Sequence, residues 1–305
     1  MRARPLLVLL LASLLAGAAC SQGAPDRTSA GPRVRIVGQS FTEADVVSQL
    51  YRALLDRAGY TATVTPVGAR DLYLAALESG RVQVAADTVS ATAEALQHRT
   101  TGGAAQQVAS SDRTAALGAL TRLGADAGLT PLRPTRAELK SGFAVTREFA
   151  TRHGLRTLSD LGRLGRPVAL AAGPDCNERP DCADGLAGVY GVHLSRVEPL
   201  GTGTDDTRAA LTSGRVQLGQ VATTDGQVGH GLVLLNDDRH LLHAENVVPI
   251  VNTAWLRTHA RARAAMDRLA GVLTTDDLRT MTARVNAGRS ARTVARAYLE
   301  GRGLI

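Results

Sequence analysis

From Val34 to Ala86 the chain alternates strand, helix, strand, helix, strand, and this alternation constrains the fold more than any other feature. Val34-Arg35-Ile36-Val37-Gly38 reads as a short strand ending in glycine. Ser40 and Glu43 then fit a capping box. Val46, Val47, Leu50, Tyr51, Leu54 and Leu55 recur at helical spacing, and Gly59 stops that helix. Thr61–Val67 alternates like a strand, Asp71–Glu78 is the next helix, and Val82–Ala86 is strand-like again. Such a run predicts a largely parallel sheet covered by helices.

The same grammar returns after a less regular stretch at Glu94–Leu123. Strands are expected at Phe143–Thr146, Pro167–Ala172, Arg196–Leu200, Val216–Val221, Leu232–Leu235 and Val247–Val251, with helices at Leu158–Leu161, Gly185–Tyr190 and Asp205–Thr212. From about Thr258 the chain reads as helical, and TTDDL is a well-capped start. Two segments nearly repeat: AALESGRVQ at Ala75–Gln83 and AALTSGRVQ at Ala209–Gln217, 134 positions apart. In each, a helix ends at Ser-Gly and a strand begins at Arg-Val-Gln. Ligands in open α/β sheets collect beyond the carboxyl ends of strands. Those ends are Ala85–Thr88 and Val221–Asp225, so two lobes facing each other would put both at one cleft.

The amino terminus points to export. Arg2 and Arg4 precede an apolar run that ends in Gly17-Ala18-Ala19-Cys20, the order of a secretory signal followed by a lipoprotein-type cysteine. Residues 1–19 are therefore expected to be a signal peptide, with lipid on Cys20 holding the chain to the outer face of the membrane. Ser21–Pro32 reads as a flexible tether. Cys176 and Cys182 lie in the loop GPDCNERPDCADG, where an oxidising compartment favours a disulfide.

The net charge of +7 comes almost wholly from scattered arginines, Lys140 being the only lysine, and aromatics are 3% of the chain. Without a basic run or interleaved aromatics, nucleic acid is not an expected partner. No nucleophile elbow, zinc-protease motif or Walker loop is present, so catalysis is not expected. His240, His243 and Glu245 do not lie on one helix face, and no metal or cofactor is expected.

The longer motifs carry a resemblance. VGQSFTEADVVSQLYRALLDRAGY, GARDLYLAALESGRVQ, HGLRTLSDL, GPDCNERPDCADGLAGVYG, ALTSGRVQLGQVATTDGQV, DDRHLLHAENVVPIV and LTTDDL occur in this order over nearly all of Val34–Leu304. They resemble the quaternary-ammonium (glycine betaine, choline, carnitine) substrate-binding proteins of ABC importers, the osmoprotectant-binding family. The resemblance implies a type II periplasmic-binding-protein fold, α/β, with two lobes and the ligand cleft between them. It places lobe I at residues 33–138 plus 248–305 and lobe II at 139–247. It implies a small solute and an importer permease as partners.

By position, the ligand-binding candidates are Gln39, Ser40, Asp87, Thr88, Phe143, Arg179, Thr223, Thr224, Glu245 and Asn246. Arg179 matches a family arginine that grips the ligand carboxylate by a bidentate pair. Phe41 is expected in the core. The ring cage that cation–π recognition needs is depleted: Thr88 and Ala222 stand where relatives carry aromatics, leaving Phe143 as the expected ring. Asp87 and Glu245 would then meet a cationic head by charge. The alternative is a paralogue with an aromatic-poor pocket that takes a different small solute, or that acts as a sensor lipoprotein.

Overall fold

The computed structural model describes residues 31–101, 108–226 and 228–305. The expected signal peptide, Cys20 and most of the tether lie outside the described residues. The tether's last residue, Pro32, is pinned where its carbonyl accepts from the Thr61 amide at 3.0 Å.

The first lobe opens with β1 (Arg33–Gly38), α1 (Thr42–Arg57), β2 (Thr61–Pro66), α2 (Arg70–Glu78), β3 (Val84–Thr88), α3 (Val89–Thr101), α4 (Arg113–Asp126) and β4 (Leu129–Pro131). The second follows with β5 (Ser141–Thr146), α5 (Arg147–His153), α6 (Leu158–Arg163), β6 (Val168–Ala171), α7 (Ala183–Tyr190), β7 (Leu194–Glu198), α8 (Asp205–Thr212), β8 (Leu218–Ala222) and β9 (Leu232–Leu234). The chain then returns to the first lobe through β10 (Val247–Asn252), α9 (Thr253–Arg257), α10 (Ala260–Asp267), α11 (Thr275–Asn286) and α12 (Ala291–Gly301).

Each lobe is built on one five-stranded sheet, ordered β2-β1-β3-β10-β4 and β7-β6-β8-β5-β9. The two sheets share a plan. Three parallel strands are extended by one strand that crosses from the other lobe and runs antiparallel to them: β10 beside β3, and β5 beside β8. Side-chain alternation along each strand covers both faces. Ile36, Val84 and Ala86 pack toward α1, α11 and α12, whereas Val37 and Ala85 pack toward α2, α3 and α4. Val168 and Leu170 face α6 and α7, whereas Ala169 and Ala171 face α8.

The repeated Ser-Gly-Arg-Val-Gln segments form the same turn in both lobes. Gly80 and Gly214 end α2 and α8 at φ of 71° and 76°, a left-handed backbone that glycine adopts without a Cβ penalty. The glutamines after them are clamps rather than strand residues. The Gln83 amide side chain accepts from the Arg35 N–H at 2.9 Å and donates to the Gly80 carbonyl at 2.9 Å, and its backbone N–H donates to the Arg35 carbonyl at 3.1 Å. Gln217 makes the matching bonds to Ala169 and Gly214, at 3.1, 3.2 and 3.1 Å. The strands begin after the clamps, at Val84 and Leu218.

The two crossing segments pair with each other. Glu138 and Asn246 form an antiparallel bridge, with Leu139 N–H donating to Glu245 O at 2.9 Å and Val247 N–H to Ala137 O at 2.9 Å. Two expectations change. The Ser40–Glu43 capping box does not form: α1 is preceded by Phe41 without a side-chain cap, and the Glu43 carboxylate instead accepts the Thr224 hydroxyl of the other lobe at 2.9 Å. Helix also resumes before Thr258, at Thr253, where Asn252 caps α9. The Thr274–Asp277 capping box of α11 forms as expected.

Candidate functional site

A cavity of about 290 Å³ lies where the carboxyl ends of β1 and β3 face the crossing segments and the disulfide loop. Its lining from the first lobe includes Gln39, Phe41, Arg70, Asp87 and Thr88. The crossing segments contribute Leu139, Lys140, Ser141, Leu242, His243 and Glu245, and the loop after β6 contributes Arg179 and Asp181. A second recess of about 200 Å³ shares Phe41, Leu139, Lys140 and Ser141 with the first and is completed by Glu43, Ala222 and Thr224.

Asp87 ends β3 with a side chain 2% exposed. Burying a carboxylate there requires compensation, and α2 supplies it. Arg70 donates to both carboxylate oxygens at 3.0 Å, the Tyr73 hydroxyl donates to Oδ2, and the Thr88 N–H donates to Oδ1 at 2.8 Å. The sequence reading missed Arg70. A buried aspartate at a strand end was the available signal, since it demands a cation nearby.

Glu245 is partly buried on the second crossing segment and accepts from the Ala91 N–H at 3.2 Å. No arginine or lysine lies within ion-pairing distance of it among the described residues. Desolvation, with a smaller push from the Asp87 charge and against the Thr88 and Ala91 hydrogen bonds, lifts its carboxyl to about 7.

Cys176 and Cys182 form the expected disulfide, with Cα atoms 5.2 Å apart. The loop they close carries Arg179 into the cavity lining, but its guanidinium is already forked onto Asp181 at 2.9 and 2.6 Å. The Asp181 bonds raise its pKa further, against desolvation. Lys140 pairs with Glu138 at 2.9 Å. The cavity wall thus holds cations and carboxylates largely matched to one another, with Glu245 outside any ion pair among the described residues.

Of the residues singled out from sequence, Gln39, Asp87, Thr88, Arg179 and Glu245 line this cavity. Ser40 is exposed beside it. Thr223 and Asn246 lie at the crossing instead. The Thr223 N–H donates to Lys140 O at 2.9 Å and its carbonyl accepts from Arg279 of α11 at 2.8 Å, while Asn246 Nδ2 donates to Thr135 O at 3.2 Å. Thr224 reaches Glu43 from the smaller recess. The two phenylalanines exchange the expected places. Phe143 is 0% exposed and packs with Leu158, Leu186 and Tyr190 on the helix side of its sheet. Phe41 is 44% exposed and lines both recesses. Among the described residues no group of three or more His, Cys, Asp or Glu could hold a metal ion, and no helix is long and apolar enough to cross a membrane.

Comparison with known proteins gives this geometry its context. The family described as the substrate binding domain of ABC-type glycine betaine transport system matches residues 32–301. A glycine-betaine-binding protein of Pseudomonas aeruginosa is 26% identical over 263 residues, 83% of this chain and 82% of that protein. Two solved structures share the fold. One, the crystal structure of a glycine betaine/carnitine/choline ABC transporter, superposes with a TM-score of 0.79 at 19% identity, covering 90% of this chain and 99% of the other. The second, apo YehZ from Escherichia coli, superposes with a TM-score of 0.75 at 21% identity, covering 90% and 99%.

Proposed function

The chain belongs to the family of substrate-binding domains of ABC-type glycine betaine transport systems, and from that premise we propose that it captures a small quaternary-ammonium or related cationic or zwitterionic solute between its lobes and delivers it to an importer permease. The observation that carries this reading is the cavity of about 290 Å³ between strand ends, walled by both lobes. That is near the lower end of small-molecule pockets, about 300–1,000 Å³, and suits a compact solute. The two paired crossing segments form the hinge about which the lobes, residues 33–138 plus 248–305 and residues 139–247, would close. The curated Pseudomonas relative is named for binding glycine betaine, which favours that ligand and its close kin.

Within the cavity, Asp87 and Glu245 face the positive head of the solute, and Phe41 is the ring available to it. Arg179 and Lys140 receive a carboxylate where the ligand has one, Arg179 sharing its guanidinium with Asp181. Gln39 and Thr88 orient the bound molecule, and binding proceeds without turnover. The amino-terminal order of arginines, apolar run, small residues and Cys20 supports export and a lipid anchor on Cys20.

The test is a thermal-shift panel of glycine betaine, choline, carnitine, amino acids and polyamines. Glycine betaine or choline should raise the midpoint with concentration as mass action requires, and the ligand should be recovered unchanged. Stabilisation by amino acids or polyamines alone would overturn the quaternary-ammonium reading, and mass spectrometry of labelled cells finding Cys20 without acyl groups would remove the anchor.

A further inference from the structure

The cavity wall contains two neighbouring carboxylates in unequal circumstances. Asp87 has its charge matched by the Arg70 fork and by the Tyr73 hydroxyl. Glu245, on the crossing segment, has hydrogen bonds from the Ala91 N–H and the Thr88 hydroxyl but no cationic partner within ion-pairing distance among the described residues. We propose that Glu245 is the residue that selects for positive charge, and that it exchanges its own proton for the cation: in the empty cavity it is held partly as the neutral acid, and when a cationic head enters, its O–H bond breaks and the proton leaves to solvent. The proposal rests on the reading that the cavity takes a cationic head, and adds to it a specificity residue and a proton.

The charge balance of the cavity is the physical reason. Every other charged group facing Glu245 already has a counter-charge: Asp87 with Arg70, Arg179 with Asp181, and Lys140 with Glu138. His243, two positions earlier on the same segment, also lines the cavity. A cation placed against this wall finds one carboxylate whose charge is not yet spoken for. Burial and the nearby Asp87 hold that carboxyl at about 7 in the empty protein. A positive charge at close range favours its ionised form. Linkage then requires that binding release a proton and weaken as the solution is acidified.

Choline is the probe, because it carries a fixed charge and does not titrate between pH 5 and 9. Titration calorimetry in phosphate and in Tris at pH 7, buffers of different ionisation enthalpy, should report release of about half a proton per choline bound. The dissociation constant should rise about tenfold between pH 8 and pH 6. Glu245→Gln should flatten that profile, abolish the proton release and weaken binding at pH 8. His243→Gln should leave the profile as it is. Carbon-13 NMR of the side-chain carboxyls in the empty protein should show one glutamate, absent from the Glu245→Gln spectrum, titrating near neutrality. Choline binding with no proton released, a profile unchanged by Glu245→Gln, or a profile abolished by His243→Gln overturns this inference and leaves the solute-binding reading standing. A glutamate that titrates near neutrality in a protein that binds neither choline nor glycine betaine overturns the ligand class, and the cation exchange with it.

Discussion

Arg70→Ala should be among the most costly substitutions outside the hydrophobic cores, and its cost should depend on pH. Arg70 supplies two hydrogen bonds of 3.0 Å to a carboxylate whose side chain is 2% exposed. Removing one member of a buried ion pair typically costs about 3–5 kcal/mol, because the other charge is left uncompensated. The protein has an escape, which is to protonate the stranded carboxylate. For an aspartate of ordinary acidity, about 3.9, that costs about 4 kcal/mol at pH 7 and about 1.5 kcal/mol at pH 5, at about 1.4 kcal/mol per pH unit. Urea unfolding of the ligand-free chain should therefore show a loss of about 3–4 kcal/mol at pH 7 that shrinks to about 1.5 kcal/mol at pH 5. The double variant Arg70→Ala, Asp87→Asn removes the stranded charge and should recover at least half of the pH 7 loss. A loss under about 1 kcal/mol at pH 7, or one equal at both pH values, would refute the idea that Asp87 is a buried charge held by Arg70.

Glu245→Gln should stabilise the empty protein above neutral pH. With the folded carboxyl held at about 7 and the unfolded one near 4.3, the folded state binds more protons between those two pH values, so wild-type stability falls as pH rises through them, by up to about 3.7 kcal/mol; equal midpoints for variant and wild type at pH 4 and a higher variant midpoint at pH 8 are the expected pattern. Gln83→Ala and Gln217→Ala each lose a clamp of two side-chain hydrogen bonds, worth about 1–3 kcal/mol. Because the clamps lie in separate lobes, the two losses measured by denaturation should add to within about 0.5 kcal/mol. Thr224→Val removes the hydroxyl that bridges to Glu43 across the lobes. A hydrogen bond to a charged group is worth about 1.5–3 kcal/mol, so denaturation of the ligand-free chain should show a loss of about that size, and an unchanged stability would refute a formed bridge.

The lobes were legible in the sequence because they are written in local periodicity. Val46 through Leu55 could be read as one buried helix face, and each Ser-Gly turn could be read as a helix stop. The site was less legible because its bonds are distant in sequence. Arg70 and Asp87 are 17 positions apart, and Glu43 and Thr224 are 181 apart. A Ser followed three residues later by Glu looks like a cap whatever else is near, and here the glutamate has a better partner across the cleft. The exchange between Phe41 and Phe143 has the same origin. Phe143 lies within β5, where alternation says that a residue faces one side without saying which side holds the cleft, and Phe41 lies in the turn before α1, where no period applies. Asp87 was readable as a carboxylate after the apolar strand residues Val84, Ala85 and Ala86, and Glu245 through the family resemblance of the segment it lies in.

The glutamine clamps have a consequence for how such a chain can change. Each clamp closes inside its own lobe and fixes strand register before the residues that follow it. The two loops are not equally free, however. After the first clamp the strand runs on to Asp87, held by Arg70, and to Thr88, both of which line the cavity. After the second it runs on to Thr223, which ties Lys140 of the crossing to Arg279 of α11. Descendants of this chain can therefore vary the cavity wall at Thr88 at less cost than at Asp87 or Thr223, whose bonds hold the fold.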